Sequence, residues 1–264
     1  MKKLFLGSVA LVALSLGTSA AFAADRPVPA YTPPPPPAPV YTWSGCYVGA
    51  SAGWDSGRSQ HRTVAGSVVN PAAPIPAGTN ITDTFDLTGF IGGGTLGCNW
   101  QWGAWVFGIE GDGSATNKAG QAFETPLVPL FSDSANFISQ TQERWLVTAR
   151  ARLGLTDFWG FGPNTLLYVT GGAAWAKIDA AEWLVSNPIR TAHIESNTRS
   201  GWTVGAGLEY ALGYGWSAKS EFLYVKFDDY NTFTTGPFAN GIISPREVRL
   251  EDYIWRAGLN YKFW

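Results

Sequence analysis

The end of the chain alternates between apolar and polar side chains with a period of two residues. In a β-strand successive side chains point to opposite sides, so residues 253–264 would have one apolar and one polar face. The apolar face would carry Trp255, Ala257, Leu259, Tyr261 and Phe263, and the polar face Arg256, Gly258, Asn260 and Lys262. This pattern is typical of a strand in a membrane barrel, whose apolar face meets lipid.

Eight segments of the chain show this alternation. They are residues 44–55, 86–99, 104–114, 144–155, 165–178, 199–212, 216–227 and 253–264. Short connections alternate with long ones, the short ones being 100–103, 156–164 and 213–215. Outer-membrane barrels have an even number of antiparallel strands, short periplasmic turns and longer external loops. The sequence therefore predicts an all-β fold, an eight-stranded antiparallel transmembrane β-barrel with both termini in the periplasm.

The tryptophans cluster near the two ends of the predicted strands. Near the long connections lie Trp54, Trp145, Trp175, Trp202 and Trp255. Near the short turns lie Trp43, Trp100, Trp105, Trp216 and Trp264. Because aromatic residues are enriched at both membrane–water interfaces, these residues are predicted to form two membrane aromatic belts. In the alternative, a soluble β-sandwich, core tryptophans would lie more often in the middle of strands.

The composition agrees with a wall that faces lipid. Charged residues make up 14% of the chain, against about 25% in a typical globular protein. After Ala23 no run of about 20 apolar residues is available for a transmembrane helix, so strands would have to cross the membrane. With 18 basic and 20 acidic residues the net charge is −2, which provides no basic footprint for a nucleic-acid partner.

Two segments precede the predicted barrel of residues 43–264. Residues 1–23 combine Lys2 and Lys3 with an apolar core and a small-residue cleavage site, as in a secretory signal peptide. The alternative, an anchor helix, would need a longer apolar core. Residues 24–42 are rich in proline, which lacks an amide donor, so we expect an extended periplasmic linker. The alternative for this segment is a specific ligand role.

Charged residues at the predicted inward positions are balanced in sign. The acidic residues are Glu110, Asp112, Glu209 and Glu221, and the basic ones Arg150, Arg152, Lys219 and Arg256. The interior of an eight-stranded barrel is just filled by side chains, and an unpaired charge there would be costly. We therefore expect a barrel-interior charge network that plugs the barrel. The alternative is a charged conduction path made of the same residues.

Cys46 and Cys98 are the two cysteines of the chain. Both fall on the outward face, near the short-turn end of strands that should be neighbours. In an oxidising compartment they would form a disulfide if their Cβ atoms came within about 4.5 Å. Otherwise they would remain two apolar side chains in lipid.

Motifs for catalysis or cofactor binding are poorly placed. Gly92–Gly97 has the glycine pattern of a dinucleotide site but lies in a strand that opens no helix. Ser51 lies in a nucleophile-elbow pattern, which needs a strand-to-helix turn and a histidine within reach. His61 and His193 fall in predicted external loops without the closely spaced partners of a metal site, so we expect them to be solvated. The sequence predicts no enzyme activity, no catalytic residues, no cofactor and no metal.

Several stretches resemble the outer-membrane immunogenic proteins of alphaproteobacteria, a family of small OmpA-like barrels. They are Trp43-Ser-Gly-Cys-Tyr-Val-Gly49 after the Pro-rich lead, Gly97-Cys-Asn-Trp-Gln101, Val106-Phe-Gly-Ile-Glu-Gly-Asp112, Tyr168-Val-Thr-Gly-Gly172, Gly201-Trp-Thr-Val-Gly-Ala-Gly-Leu-Glu-Tyr210 and Gly258-Leu-Asn-Tyr-Lys-Phe263. The resemblance covers the barrel and little of the loops. It implies an eight-stranded barrel in the outer membrane, classed with the porin family and structural or surface-interacting in role.

Two features depart from the family pattern. Cys46 and Cys98 stand where the family generally has aromatic residues, as expected of a substituted pair. Trp264 follows the expected terminal phenylalanine, so the C-terminal assembly signal that the barrel-insertion machinery reads is Phe263 or Trp264.

The predicted function follows from the barrel and the resemblance. We expect an outer-membrane β-barrel protein and surface antigen of the cell envelope, with a structural or surface-contact role, long extracellular loops and a plugged polar interior. The alternative is a narrow porin-like channel for ions or small solutes. The expected partners are outer-membrane lipid and lipopolysaccharide, the barrel-insertion machinery and extracellular or host surface ligands.

Overall fold

The computed structural model describes residues 41–64, 76–124, 137–184, 193–232 and 246–263. The predicted signal peptide, almost all of the Pro-rich linker and Trp264 lie outside these residues. Within the described ranges no helix has the length and apolar character needed to cross a bilayer.

Ten strands and one turn of 3-10 helix, Phe158–Gly160, form the described chain. The strands are β1 Gly45–Thr63, β2 Phe85–Trp102, β3 Trp105–Thr116, β4 Ala119–Phe123, β5 Phe137–Thr156, β6 Thr165–Leu184, β7 His193–Gly213, β8 Trp216–Phe227, β9 Tyr230–Thr232 and β10 Arg246–Lys262.

Eight of these strands close into an antiparallel ring. The order around the ring is β1-β10-β8-β7-β6-β5-β3-β2, and β2 pairs again with β1. The short strands β4 and β9 continue the lines of β3 and β8, because β4 pairs with β5 and β9 pairs with β10. The predicted eight-stranded barrel is therefore confirmed. We call the end with residues 103–104, 157–164 and 214–215 the short-turn end, and the opposite end the loop end.

The predicted faces of the strands are also seen in the structure. Along β3 burial alternates residue by residue, with Phe107 and Ile109 exposed on the outside and Glu110 and Asp112 buried on the inside. This follows from the period of two in strand side chains. The Gly92–Gly97 motif lies within β2, with no helix after it.

The strands extend further towards the loop end than the sequence predicted. β1 continues to Thr63, whereas we expected a loop from residue 56. The alternation persists there, since Ser59, His61 and Thr63 are buried, but their outward neighbours are polar rather than apolar. Without an apolar face the segment looks like a loop in sequence. The wall of the barrel therefore continues beyond the aromatic residues that mark this end.

The interior is filled in layers. At the short-turn end Trp43 packs in a cluster with Val106, Leu166, Tyr168 and Ala211. The charged residues follow, and a buried apolar cluster lies beyond them towards the loop end. Its members are Phe85, Leu87, Ile91, Leu146, Ala174, Ala176, Ile178, Leu223, Val225, Phe227, Tyr230, Val248, Leu250 and Ile254.

Candidate functional site: the ionic clusters of the barrel interior

The structure brings all eight predicted interior charges together, and each of them is buried. Five strands contribute: β3 carries two of the acids, β5 two arginines, β7 one acid, β8 a lysine and an acid, and β10 one arginine. Every one of these residues has an ion-pair partner within the set. We call this set the central network. Its members are Glu110, Asp112, Arg150, Arg152, Glu209, Lys219, Glu221 and Arg256.

Two arginines bridge the strands on opposite sides of the central network. Arg150 on β5 pairs with Glu110 on β3, and its Nη1 lies 2.9 Å from Glu221 Oε1 on β8. Arg256 on β10 lies 2.7 Å from Asp112 Oδ1 and 2.8 Å from Glu221 Oε2. Because each guanidinium contacts acids from two different strands, the pairs brace the barrel across its interior.

Tyrosine side chains add further contacts to the central network. Tyr47 donates to Glu110 Oε2 at 2.6 Å and accepts from Arg152 Nη1 at 2.5 Å. Arg152 also lies over the ring of Tyr168, 3.9 Å from its centroid, and pairs with Glu209 at 2.7 Å. Four acids and four bases leave the central network without net charge, so each buried charge is compensated within the network.

A second ionic cluster, which the sequence analysis missed, surrounds Lys118. The Lys118 Nζ lies 3.1 Å from Asp55 Oδ2, 2.8 Å from Glu143 Oε2 and 2.6 Å from Asp252 Oδ1. All four side chains are completely buried. We call Lys118, Asp55, Glu143 and Asp252 the Lys118 cluster.

The backbone turns Lys118 inward at a break between β3 and β4. Asn117 holds this break, since its Oδ1 accepts from the Phe90 N–H at 2.8 Å and its own N–H donates to Phe90 O. On the neighbouring strand β5 the register shifts between Glu143 and Trp145. Lys118 and Glu143 were missed because both fell in a predicted loop. Continuing the alternation of β1 past Trp54 would have placed Asp55 inward.

The three acids of the Lys118 cluster have the spacing of a metal site. Within the described parts of the chain they form the one such group, with ligand oxygens within 4.8 Å of one another. The ammonium of Lys118 already lies within 3.2 Å of an oxygen of each acid. The cluster thus already holds a cation of the chain itself.

A third ionic cluster lies nearer the loop end. Arg246 contacts Glu124 at 2.5 Å and pairs with Glu182, and its Nη1 donates to Ser139 Oγ at 3.0 Å.

The expectation for His61 was wrong: it lies on β1 rather than in a loop and is fully buried, because the strand alternation continues to this point.

The family comparison identifies the chain. Residues 9–263 match the family model of the outer membrane protein β-barrel domain. The chain belongs to this family. A 31 kDa outer-membrane immunogenic protein of Brucella melitensis is 30% identical over 268 residues, which is 100% of both sequences. The protein is therefore an outer-membrane β-barrel of a bacterium.

Two solved structures are similar to this outer-membrane β-barrel. Ail, the attachment invasion locus protein of Yersinia pestis, is 13% identical with a TM-score of 0.35, over 80% of this chain and 98% of Ail. The outer membrane protease OmpT of Escherichia coli is 10% identical with a TM-score of 0.42, over 84% of this chain and 98% of OmpT.

Most of the predicted belt tryptophans point outward from the barrel. Trp54 and Trp255 are direct neighbours on β1 and β10, and Trp54 packs edge-on against Phe90 on β2 with ring centroids 4.8 Å apart. The outward-facing tryptophans are Trp54, Trp100, Trp105, Trp145, Trp175, Trp202, Trp216 and Trp255. Phe263, one of the two candidates for the assembly signal, is also exposed.

Trp43 was wrongly predicted to lie in a belt. It closes the short-turn end of the barrel from inside and is 2% exposed. Its Nε1 donates to Pro163 O at 3.1 Å, its backbone N–H donates to Gln101 Oε1 at 2.8 Å, and the Tyr41 ring packs against it. Because Trp43 precedes β1, strand alternation does not fix its direction. A turn carbonyl satisfies its indole N–H, which lipid tails would leave unpaired.

Cys46 and Cys98 lie opposite each other on β1 and β2 and are joined by a disulfide. The bond links positions 52 residues apart in sequence. Ser51, in the discarded elbow motif, is a buried residue of β1.

Proposed function

We propose that this outer-membrane β-barrel is a non-enzymatic structural and surface-contact protein. The observation that carries the proposal is the filled interior. Successive layers of paired or apolar side chains occupy it, from Trp43 at the short-turn end to Arg246 near the loop end. Such a filling supports a rigid wall in the membrane rather than a route for solutes.

The extension of the wall towards the loop end supports a role in surface contact. Strands β1, β5 and β6 each continue well past their belt tryptophans, so the connections at this end start from a raised rim. With the short turns in the periplasm, as is usual for such barrels, this rim and both termini would lie on opposite sides of the membrane. Long extracellular loops would then be displayed at the cell surface.

Three kinds of partner fit this proposal. Outer-membrane lipid and lipopolysaccharide would surround the belts, and the barrel-insertion machinery would read the C-terminal aromatic residues. Extracellular or host surface ligands would bind the loops. The Brucella relative is called immunogenic, and surface display of the loops would give this chain the same property.

The structural role is tested in a strain that lacks the protein. We expect such cells to take up a hydrophobic dye faster than the parent strain, and wild-type protein to restore the barrier. Arg256→Met, which removes a brace of the central network, should restore it poorly. Lys226→Met, which removes a half-exposed pairing with Glu251, should restore it fully. Unchanged dye uptake in the deletion strain would reject the structural role.

Surface contact is tested on intact cells. An antibody raised against the synthetic segment 233–245 should label whole cells that carry the protein, without permeabilisation. Labelling only after permeabilisation would reject surface display of that connection.

The second candidate function is a narrow porin-like channel. It is favoured by Glu110, which contacts three cations, Arg150, Arg152 and Lys219, so that an exchange of partners would rearrange the network. Planar-bilayer recording separates the two functions. The structural role predicts no discrete openings from folded protein. Openings that disappear in Arg150→Met or Glu110→Gln would replace it with the channel.

A further inference from the structure

The ionic clusters of the interior differ in charge balance. The central network has four acids and four bases, which balance. The Lys118 cluster has three carboxyl groups and one ammonium, so full ionisation would leave two negative charges without compensation. This excess of negative charge is local, because every acid of the cluster contacts the same Nζ.

The surroundings of the Lys118 cluster supply no further charge. In register with its acids the neighbouring strands place Gly89 on β2, Ile178 on β6 and Val225 on β8, and Thr203 on β7 lies next to Val225. None of these side chains ionises. Among the described residues no other charged group forms an ion pair with these four.

Charged groups above and below the cluster are engaged elsewhere. Towards the short-turn end, Arg256 and Asp112 are paired with each other at 2.7 Å. Towards the loop end, Arg246 is paired with Glu124 and Glu182, and His61 is hydrogen-bonded to Thr141 at 3.1 Å.

Carboxylate oxygens inside the Lys118 cluster lack hydrogen-bond donors. Glu143 Oε1 and Asp252 Oδ2 are buried and have no hydrogen-bond partner. An ionised carboxylate in apolar surroundings is so costly that the group takes up a proton instead, unless a partner compensates it. A protonated carboxyl group becomes a donor as well as an acceptor and no longer carries the charge that is costly to bury.

We propose that the folded Lys118 cluster holds two protons, so that two of its three carboxyl groups are neutral at neutral pH. Loss of these protons at higher pH loosens the loop end of the barrel. The two protons and the Lys118 ammonium balance the three negative charges that the ionised carboxylates would carry, so the cluster is neutral. The proposal is independent of the surface-contact role, since it concerns how the barrel is held together.

The direction of the pH dependence follows from linkage. In the unfolded chain exposed Asp and Glu lose their protons near pH 4. If the folded cluster keeps its protons to higher pH, the folded state binds more protons than the unfolded state, and stability falls as the pH rises. The barrel should therefore be most stable in mild acid and lose this contribution in alkali.

The direct test is infrared spectroscopy of the folded protein in lipid vesicles at pH 7. Protonated carboxyl groups have a C=O stretch well separated from that of carboxylates. We expect this band in the wild type and its loss or reduction in Asp55→Asn and Glu143→Gln. It should persist in Asp112→Asn, which changes an acid of the balanced central network.

The second measurement is the temperature of the heat-modifiable gel shift between pH 5 and pH 9. We expect it to fall by several degrees in the wild type and by about half as much in Asp55→Asn, whose amide mimics the neutral acid and leaves one proton to be lost. Asp112→Asn, from the balanced central network, should lower the temperature by a similar amount at every pH.

Three results would overturn the proposal. The first is a wild-type spectrum without the protonated band at pH 7, which needs no variant and so holds even if a variant fails to fold. The second is a band that is undiminished in both Asp55→Asn and Glu143→Gln. The third is a wild-type transition raised by millimolar Ca²⁺ or Mg²⁺ and lowered by EDTA, which would make the compensating charge a metal ion.

Discussion

Tyr47 and Gly97 face each other on β1 and β2, and the Tyr47 hydroxyl occupies the space that a side chain at position 97 would fill. That hydroxyl is bonded to both Glu110 and Arg152. The glycine therefore leaves space for a tyrosine that links the barrel wall to the central network. A methyl group added at position 97 tests whether this space is needed.

Gly97→Ala should destabilise the barrel, whereas Gly94→Ala should not. A methyl group at 97 displaces the Tyr47 ring, and overpacking of this kind costs about 1–3 kcal/mol. At Gly94, on the outward face, the nearest heavy atom to a new methyl group would be 3.8 Å away. Urea unfolding in lipid vesicles measures both. Equal losses of unfolding free energy would show that the space beside Tyr47 is not restricted.

Arg256→Met should cost about 3–5 kcal/mol of unfolding free energy, because it leaves Asp112 and Glu221 buried with one positive partner fewer. The matched control is Lys226→Met, since the Lys226–Glu251 pair is only half buried and such pairs contribute about 0–1 kcal/mol. Adding Glu221→Gln to Arg256→Met should recover part of the loss. No recovery in the double variant would mean that the uncompensated charge is not the cause.

Reduction of the Cys46–Cys98 disulfide should lower the unfolding temperature of the barrel. A cross-link over a loop of this length contributes about 2–4 kcal/mol, mainly by restricting the unfolded chain. Dithiothreitol should therefore shift the heat-modifiable transition of the wild type and leave the Cys46→Ser, Cys98→Ser double variant unaffected. Two titratable thiols in denatured, unreduced protein would contradict the bond.

Trp43→Ala should destabilise the barrel without opening it. Trp43 is buried among apolar side chains, and removing such a residue costs about 3–5 kcal/mol. Trp102→Ala is the matched control, since Trp102 is 83% exposed near the same end and its loss should change little. Bilayer recordings of Trp43→Ala should stay silent, because the central network still fills the interior. Discrete openings would identify Trp43 as the main barrier.

The membrane-facing part of the barrel was predictable because two constraints act there together. A residue such as Ile109 must face lipid while its neighbour Glu110 must avoid it, so the alternation is visible in the sequence. The same constraint placed the eight charges of the central network on the inside. Their partners were harder to assign, since Arg150 reaches across the barrel to Glu221 on a distant strand and no sequence spacing encodes that distance.

The Lys118 cluster and the position of Trp43 could not be predicted for physical reasons. Beyond the belts the outward face meets water, so the strands around His61 lose the apolar half of their pattern. Lys118 also lies at a break where the period of two is interrupted. Trp43 precedes the first strand, and an indole is suited equally to an interface and to a buried site with one hydrogen-bond acceptor.

The extended wall has a consequence for how this chain can change over time. The connections at the loop end leave from paired strands such as β1 at Thr63 and β5 at Phe137, several residues beyond the belt tryptophans of those strands. Insertions and substitutions in those connections are therefore separated from the membrane-spanning parts of the strands by these hydrogen-bonded strand extensions. Sequence changes beyond these strand extensions can therefore accumulate while the membrane-spanning part of the barrel still inserts and closes.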